Sequence, residues 1–183
     1  MTHSTVPRPP QPVRTAPDEQ RQRRFRRVMA ELPAGVTVLT TTSPHGPVGM
    51  TTSAVTSLSM DPMLVLACLH HRSGTLDLIL RHQAFAVNVL PDTMDDISQI
   101  FAEKPLLERF SGVPHHYEDT VPVLDDALAS ITCRVHTTYP GGDHTILIGS
   151  VTNADADTDA AGDAERGRGR PLVRHRGAYR GLT

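Results

Sequence analysis

The chain has no tryptophan, four phenylalanines, three tyrosines, two cysteines and, among its 18 basic residues, a single lysine, Lys104. Each scarcity narrows the function. Cys68 and Cys133 lie far apart in the apolar runs "LVLACL" and "SITCRV", which reads as two free buried thiols rather than a disulfide or a metal site. No apolar run approaches the ~18 residues of a membrane helix, and the N-terminus has no apolar segment of the signal-peptide kind. The expectation is a cytoplasmic protein with no membrane attachment. A net charge of −2 gives no global attraction to nucleic acid. The motifs G-x-G-x-x-G, G-x-x-x-x-G-K-[ST], G-x-S-x-G and H-E-x-x-H are all missing, so a Rossmann fingerprint, a phosphate-binding P-loop, a hydrolase elbow and a zincin helix are excluded. His70-His71 and His115-His116 are adjacent pairs, expected to point apart, without Cys or carboxylate partners at ligand spacing; no metal is expected.

What is present fits one domain. A chain of 183 residues can bury roughly 70% of its unfolded surface. Residues 1–17, rich in Pro and polar side chains, read as a disordered arm, leaving 18–183 as the folded domain. "DEQRQRRFRRVMAEL" places Phe25, Val28, Met29 and Leu32 at helical spacing, and Pro33 and Gly35 stop it. The arginines between them lack interleaved aromatics and read as a solvated face, not a nucleic-acid patch.

Beyond Gly35 the pattern becomes that of strands. "GVTVLTTT" (35–42) is followed by a loop (43–49), then the hydroxyl-rich run "GMTTSAVTSLS" (49–59), read as one strand, then "PMLVLACL" (62–69). A helix (73–82), a strand (84–90) and a second helix (93–103), capped by Thr93 or Asp92, come next. Residues 104–122 read as loop. "ALASITCRVHTTYP" and "HTILIGSV" form two strands joined at Gly141-Gly142-Asp143. The stretch 153–170 reads as a mobile excursion with no packing face, and "PLVRHRGAYR" supplies a last short strand. The whole is mainly β, a barrel with peripheral helices.

Two stretches carry the chemistry. Within 49–59 no His, Asp or Lys is present to make a nucleophile of a hydroxyl, so Thr51, Thr52, Ser53 and Ser57 are read as hydrogen-bond donors to a flat heterocycle with carbonyl and nitrogen acceptors along one rim. In "HRSGTL", Arg72, Ser73 and Thr75 stand just before a helix, where a cation, two hydroxyls and the helix N-terminus suit a phosphate. An S-x-T sequence also caps many ordinary helices, and composition leaves both roles open.

"GVTVLTT", "GPVGMTTSAVTSLSMDPMLVLACL", "HRSGTL", "FAVNVL", "RFSGV" and "GDHTILIGSV", in this order, resemble the short-chain flavin reductases, the reductase partners of two-component flavin-dependent monooxygenases. The resemblance runs from Phe25 to Tyr179. It implies a split β-barrel, a homodimer, FMN or FAD as flavin, and NADH or NADPH as co-substrate without a Rossmann domain. It further implies that Thr51, Thr52 and Ser53 meet the isoalloxazine ring and its ribityl neighbour, that Arg72, Ser73 and Thr75 hold the flavin phosphate, and that His144 lies near the nicotinamide. Ser53-Ala54 stands where relatives often have Asn-Ser, which bears on flavin affinity. Arg174 stands where an aromatic is common, which bears on the choice of pyridine nucleotide. The alternative is a split-barrel protein that binds flavin or another small ligand without turnover; there His144 is incidental.

Overall fold

The computed structural model describes residues 18–156 and 169–182. The arm at 1–17 and most of the expected excursion, 157–168, lie outside the described residues. Helix α1 (Glu19–Met29) starts where the Asp18 carboxylate accepts the backbone N–H groups of Gln20 and Arg21 at 3.0 and 3.3 Å, a side-chain N-cap. Its spacing predicted an amphipathic helix, yet none of its residues is buried.

Strands β1 (Ala34–Gly35), β2 (Thr37–Ser43), β3 (Gly46–Thr52), β4 (Val55–Met60) and β5 (Met63–His70) follow. The loop expected over 43–49 contracts to a turn at Pro44-His45, and Pro47 lies within β3 opposite Thr42. Proline is tolerated there because β3 is an edge strand. Helix α2 (Gly74–His82) leads to β6 (Ala84–Val89), and after a 3₁₀ turn (Asp92–Met94) comes α3 (Asp95–Glu103). Neither Thr93 nor Asp92 caps α3. Asp92 instead pairs with Arg170: its N–H donates to the Arg170 carbonyl at 2.6 Å, and its carboxylate accepts the Arg170 N–H at 3.3 Å.

The stretch 104–122, expected to be loop, holds a 3₁₀ turn (Leu106–Glu108), β7 (His115–Glu118) and the start of β8 (Val121–Leu124). Pro122 hides β8 in the sequence. Its pairing with β7 and the buried Asn88 hold it in place: the Asn88 amide donates to the Val38 carbonyl at 3.0 Å, and its oxygen accepts the Leu124 N–H at 2.8 Å. A fully satisfied buried amide of this kind joins three strands without an unpaired polar atom.

Strands β9 (Ala129–Gly141) and β10 (His144–Ala156) form a long hairpin. The start of the expected excursion is strand, because Asn153–Ala156 pair with Ala129–Thr132; the ladder overrides a composition that has no packing face. The tail forms two strands rather than one, β11 (Leu172–His175) and β12 (Ala178–Gly181), with β11 also paired to β1.

The main sheet runs β3-β2-β6-β9-β10-β5-β4, antiparallel throughout. Strands β3 and β4 sit at its two ends, although only Ser53 and Ala54 separate them in sequence. The sheet must therefore curl until its ends meet, which makes a mainly β split barrel with the seam at these two residues. The reading of 49–59 as one strand is corrected: β3 pairs with β2, β4 pairs with β5, and the Ala54 carbonyl accepts the Cys68 N–H at 2.9 Å. Nothing in the composition of the run marks the break, since small and β-branched residues continue on both sides of Ser53-Ala54. Inside the barrel Leu39, Ile79, Phe85 and Leu147 are fully buried. A Cβ on Gly149 would lie 2.5 Å from Phe85 Cζ, so only glycine lets that ring fill the centre. A second cluster, including Val38, Phe101, Phe110 and Leu172, packs α3 and the C-terminal hairpin against the outside.

Candidate functional site

Two cavities lie side by side where β3 leaves the sheet, with Thr51 and Ala102 lining both. The larger, about 360 Å³, is walled by Met50, Ser73, Gly74, Thr75 and Arg109. The smaller, about 260 Å³, is walled by Val36, Thr52, Ser53, Arg174 and Tyr179. Each is at or below the low end of the ~300–1,000 Å³ common for small-ligand sites, and together they suit one elongated ligand.

The larger cavity has donors and positive charge of the kind that suits an anion. Ser73 caps α2, its hydroxyl oxygen accepting the Leu76 N–H at 3.4 Å, so the open N-terminal turn of this helix faces the cavity with its partial positive charge. Arg109 reaches in from the segment after the 3₁₀ turn, anchored by Nη1 to the Gly49 carbonyl at 2.7 Å and by Nε to the Lys104 carbonyl at 2.8 Å. Burial lowers its pKa from the ordinary arginine value, but a guanidinium remains a cation in a protein. Among the described residues no carboxylate forms an ion pair with it. Thr75 is buried and donates to the Gly49 carbonyl at 3.4 Å.

The smaller cavity is polar and braced. The Thr51 hydroxyl donates to the Ser98 carbonyl at 2.6 Å, and the Ser98 hydroxyl lies 2.7 Å from the Tyr179 phenol. Arg174 lies over the Tyr179 ring, its guanidinium carbon 5.5 Å from the centroid, a cation–π distance. Thr52 Oγ1 accepts the Ala54 N–H at 3.1 Å. A hydroxyl has one proton to give, and Thr51 gives its own to the Ser98 carbonyl, so the reading of Thr51 as a donor is corrected: it has lone pairs left to offer, not a proton.

The structure thus gathers Thr51, Thr52, Ser53, Ser73 and Thr75 around the paired cavities. Ser57, Arg72 and His144 line neither. Ser57 lies on β4 opposite Val65. Arg72 is exposed in the turn after β5, its N–H donating to His70 Nδ1 at 3.1 Å. His144 opens β10 opposite His70, with its ring 5.5 Å from the His70 ring and its Nδ1 2.7 Å from the Asp143 carboxylate. The hydrogen bond from His144 holds the Asp143 carboxyl below its ordinary pKa. The expectation that His70 and His71 point apart is corrected: their rings stack at 4.7 Å, because the strand ends at His70 and the chain turns at once. Nδ1 of His71 lies 2.6 Å from the Asp143 carbonyl, which fastens that turn to the β9–β10 hairpin. Arg109 and Tyr179 were absent from the sequence-derived site; Arg109 opens "RFSGV", one of the stretches that carry the resemblance, whereas Tyr179 only marks where the resemblance ends.

Over residues 29–183 the chain matches the family model described as a flavin reductase like domain. It is 39% identical over 139 residues to the FMN reductase (NADH) RutF 2 of Rhizobium rhizogenes, covering 75% of this chain and 80% of that one. It is 36% identical over 155 residues to the reductase component of a 4-nitrophenol 4-monooxygenase/4-nitrocatechol 2-monooxygenase of Rhodococcus opacus, covering 85% and 78%. Among solved structures it is similar to the NADH:FAD oxidoreductase SgcE6 of Streptomyces globisporus in complex with NAD and FAD fragments, with TM-score 0.80, 28% identity, and 93% and 98% of the two chains covered.

Proposed function

The chain belongs to the flavin reductase-like domain family, and from that premise we propose that it is an NAD(P)H:flavin oxidoreductase that reduces FMN or FAD and supplies reduced flavin to a partner monooxygenase. The observation that carries this reading is the pairing of an anion seat, built from Arg109, Ser73 and the α2 N-terminus, with a polar cavity on the far side of Thr51. A flavin phosphate fits the first and the ring the second. The relatives' names pair NADH with FMN in one case and with FAD in another, and a relative of similar length is a monooxygenase component.

Nicotinamide and flavin, once both are bound, supply hydride transfer themselves. The chain's work is placement. Arg109 and Ser73 fix the phosphate end, while Thr52, Ser53 and the backbone of the seam face the ring. His144, with its Nδ1 turned to Asp143, keeps Nε2 for the nicotinamide amide or a dinucleotide phosphate, an orienting role.

A second copy of the chain is proposed to cover α1. Phe25, Val28 and Met29 on α1 are 64%, 63% and 46% exposed, and Leu32 just beyond the helix is 64% exposed, a run of uncovered apolar side chains that suits a contact surface. Among the described residues no helix is long and apolar enough to cross a membrane; the cytoplasm is the proposed compartment.

The test is purified protein with each pairing of NADH or NADPH with FMN or FAD, followed at the nicotinamide absorbance band. Oxidation that requires flavin supports the reading. Flavin binding with no oxidation under any pairing would make the chain a binding module instead.

A further inference from the structure

The geometry points to Arg174 as the group that distinguishes reduced from oxidised flavin, holding the negative charge that the ring acquires on reduction. This rests on the proposed function. The two cavities each contain one cation, Arg109 in the larger and Arg174 in the smaller. Among the described residues neither has a carboxylate at ion-pair distance. A ligand that spans both cavities therefore meets positive charge at each end.

One end is the phosphate, charged in every redox state. The other is the ring, and its charge depends on the reaction. Hydride leaves nicotinamide C4 with both electrons of its C–H bond and forms the N5–H bond of the flavin. The nicotinamide departs as the NAD(P)⁺ cation. The flavin has gained two electrons and one proton and carries a negative charge along its N1–C2 carbonyl edge. A cation beside a neutral oxidised ring gains little, whereas beside the reduced ring it gains an ionic partner; only such a differential contact can favour one state.

Arg174 is placed to make that contact. It lines the smaller cavity together with Thr52 and Ser53 and lies over the ring of Tyr179, whose phenol is 2.7 Å from the Ser98 hydroxyl. Arg174 is an exposed residue, and the stack on Tyr179 restrains its guanidinium at the cavity wall. A dinucleotide phosphate is the competing anion for this cation. The ring is favoured because the same cavity contains the end of the hydroxyl strand, and because the phosphate seat beyond Thr51 sets the reach of the ligand.

The experiment compares the unsubstituted protein with Arg174→Gln and Arg174→Lys, measuring dissociation constants for oxidised FMN and, under anaerobic conditions, for dithionite-reduced FMN. Arg174→Gln is expected to weaken reduced FMN about tenfold while oxidised FMN changes less than about twofold. That difference equals a fall of about 30 mV in the bound two-electron potential, read independently by equilibration with a reference dye. Arg174→Lys restores most of it. Equal weakening of both oxidation states would make Arg174 a packing residue and overturn the inference. So would unchanged affinities for both, or a rise in KM for NADPH alone, which would assign Arg174 to a dinucleotide phosphate. An unsubstituted protein that binds flavin in neither state would overturn the proposed function, and this inference with it.

Discussion

The Ser98 hydroxyl and the Tyr179 phenol lie 2.7 Å apart and join α3 to the C-terminal hairpin across one wall of the smaller cavity. Ser98 is fully buried, and its carbonyl also accepts the Thr51 hydroxyl at 2.6 Å. One residue thus ties β3, α3 and β12 together at the site.

Tyr179→Phe removes one half of that bond and leaves a buried hydroxyl with a lost partner, a loss of about 1–3 kcal/mol. The thermal midpoint should drop by several degrees, and flavin affinity should fall as the Arg174 platform loosens. A midpoint and an affinity both equal to those of the unsubstituted protein would mean that the bond does not brace the cavity.

Arg109 and Arg72 separate the structural reading of the phosphate seat from the sequence reading. A charge-assisted contact to phosphate is worth about 1.5–3 kcal/mol, so Arg109→Gln should weaken FMN by about tenfold to a hundredfold. Riboflavin, which has no phosphate, should be bound almost as before. Arg72→Ala should have the smaller effect, since Arg72 is exposed and lines neither cavity. Isothermal titration of both ligands into both variants decides, and a larger loss from Arg72 would return the seat to "HRSGTL" alone.

His144→Ala should raise KM for the nicotinamide substrate, lower kcat less, and leave flavin affinity nearly intact, the pattern of a lost orienting contact. Steady-state kinetics with each substrate varied in turn provide the check. An unchanged KM would leave His144 as a hairpin residue held by Asp143 and the His70 ring.

Cys133 gives a pH signature. Burial pushes its thiol up to about 12, while an unfolded cysteine ionises near ~8.5. Between those values the unfolded chain releases a proton that the folded chain keeps, so stability falls as pH rises through that window. Denaturant midpoints measured from pH ~8 upward should decline, and Cys133→Ala should flatten the decline. At pH ~8 a thiol reagent should modify the half-buried Cys68 in the native protein and both cysteines only after unfolding.

Much of this architecture was legible where local rules act alone. Asp18 and Ser73 cap their helices through side-chain oxygens, and the apolar run 62–69 gave the strand β5, with Val65, Ala67 and Leu69 buried on one face and Leu64, Leu66 and Cys68 half-buried on the other. Failures came where distant chain decides. Asp92 looks like a cap but is taken by Arg170, 78 residues later. The run 49–59 reads as one strand because nothing in its alternation reveals that its halves pair with different neighbours. At the site, Ser73 and Thr75 were legible from the helix they start, whereas Arg109 sits in an aperiodic stretch and becomes a cavity wall only through its bonds to Gly49 and Lys104.

Strand β3, at one end of the sheet, leaves a row of backbone groups that could pair with a strand of another molecule. Here the Gly49 carbonyl is taken by Arg109 and Thr75, and the Thr51 side chain fastens α3 over the same strand. A Cβ on Gly49 would lie 2.8 Å from the Phe101 ring, so closely does the helix cover it. The groups that wall the ligand cavity are therefore also the chain's guard against edge-to-edge aggregation. A change that strips this wall exposes β3 as a template for self-association, and solubility is lost together with affinity.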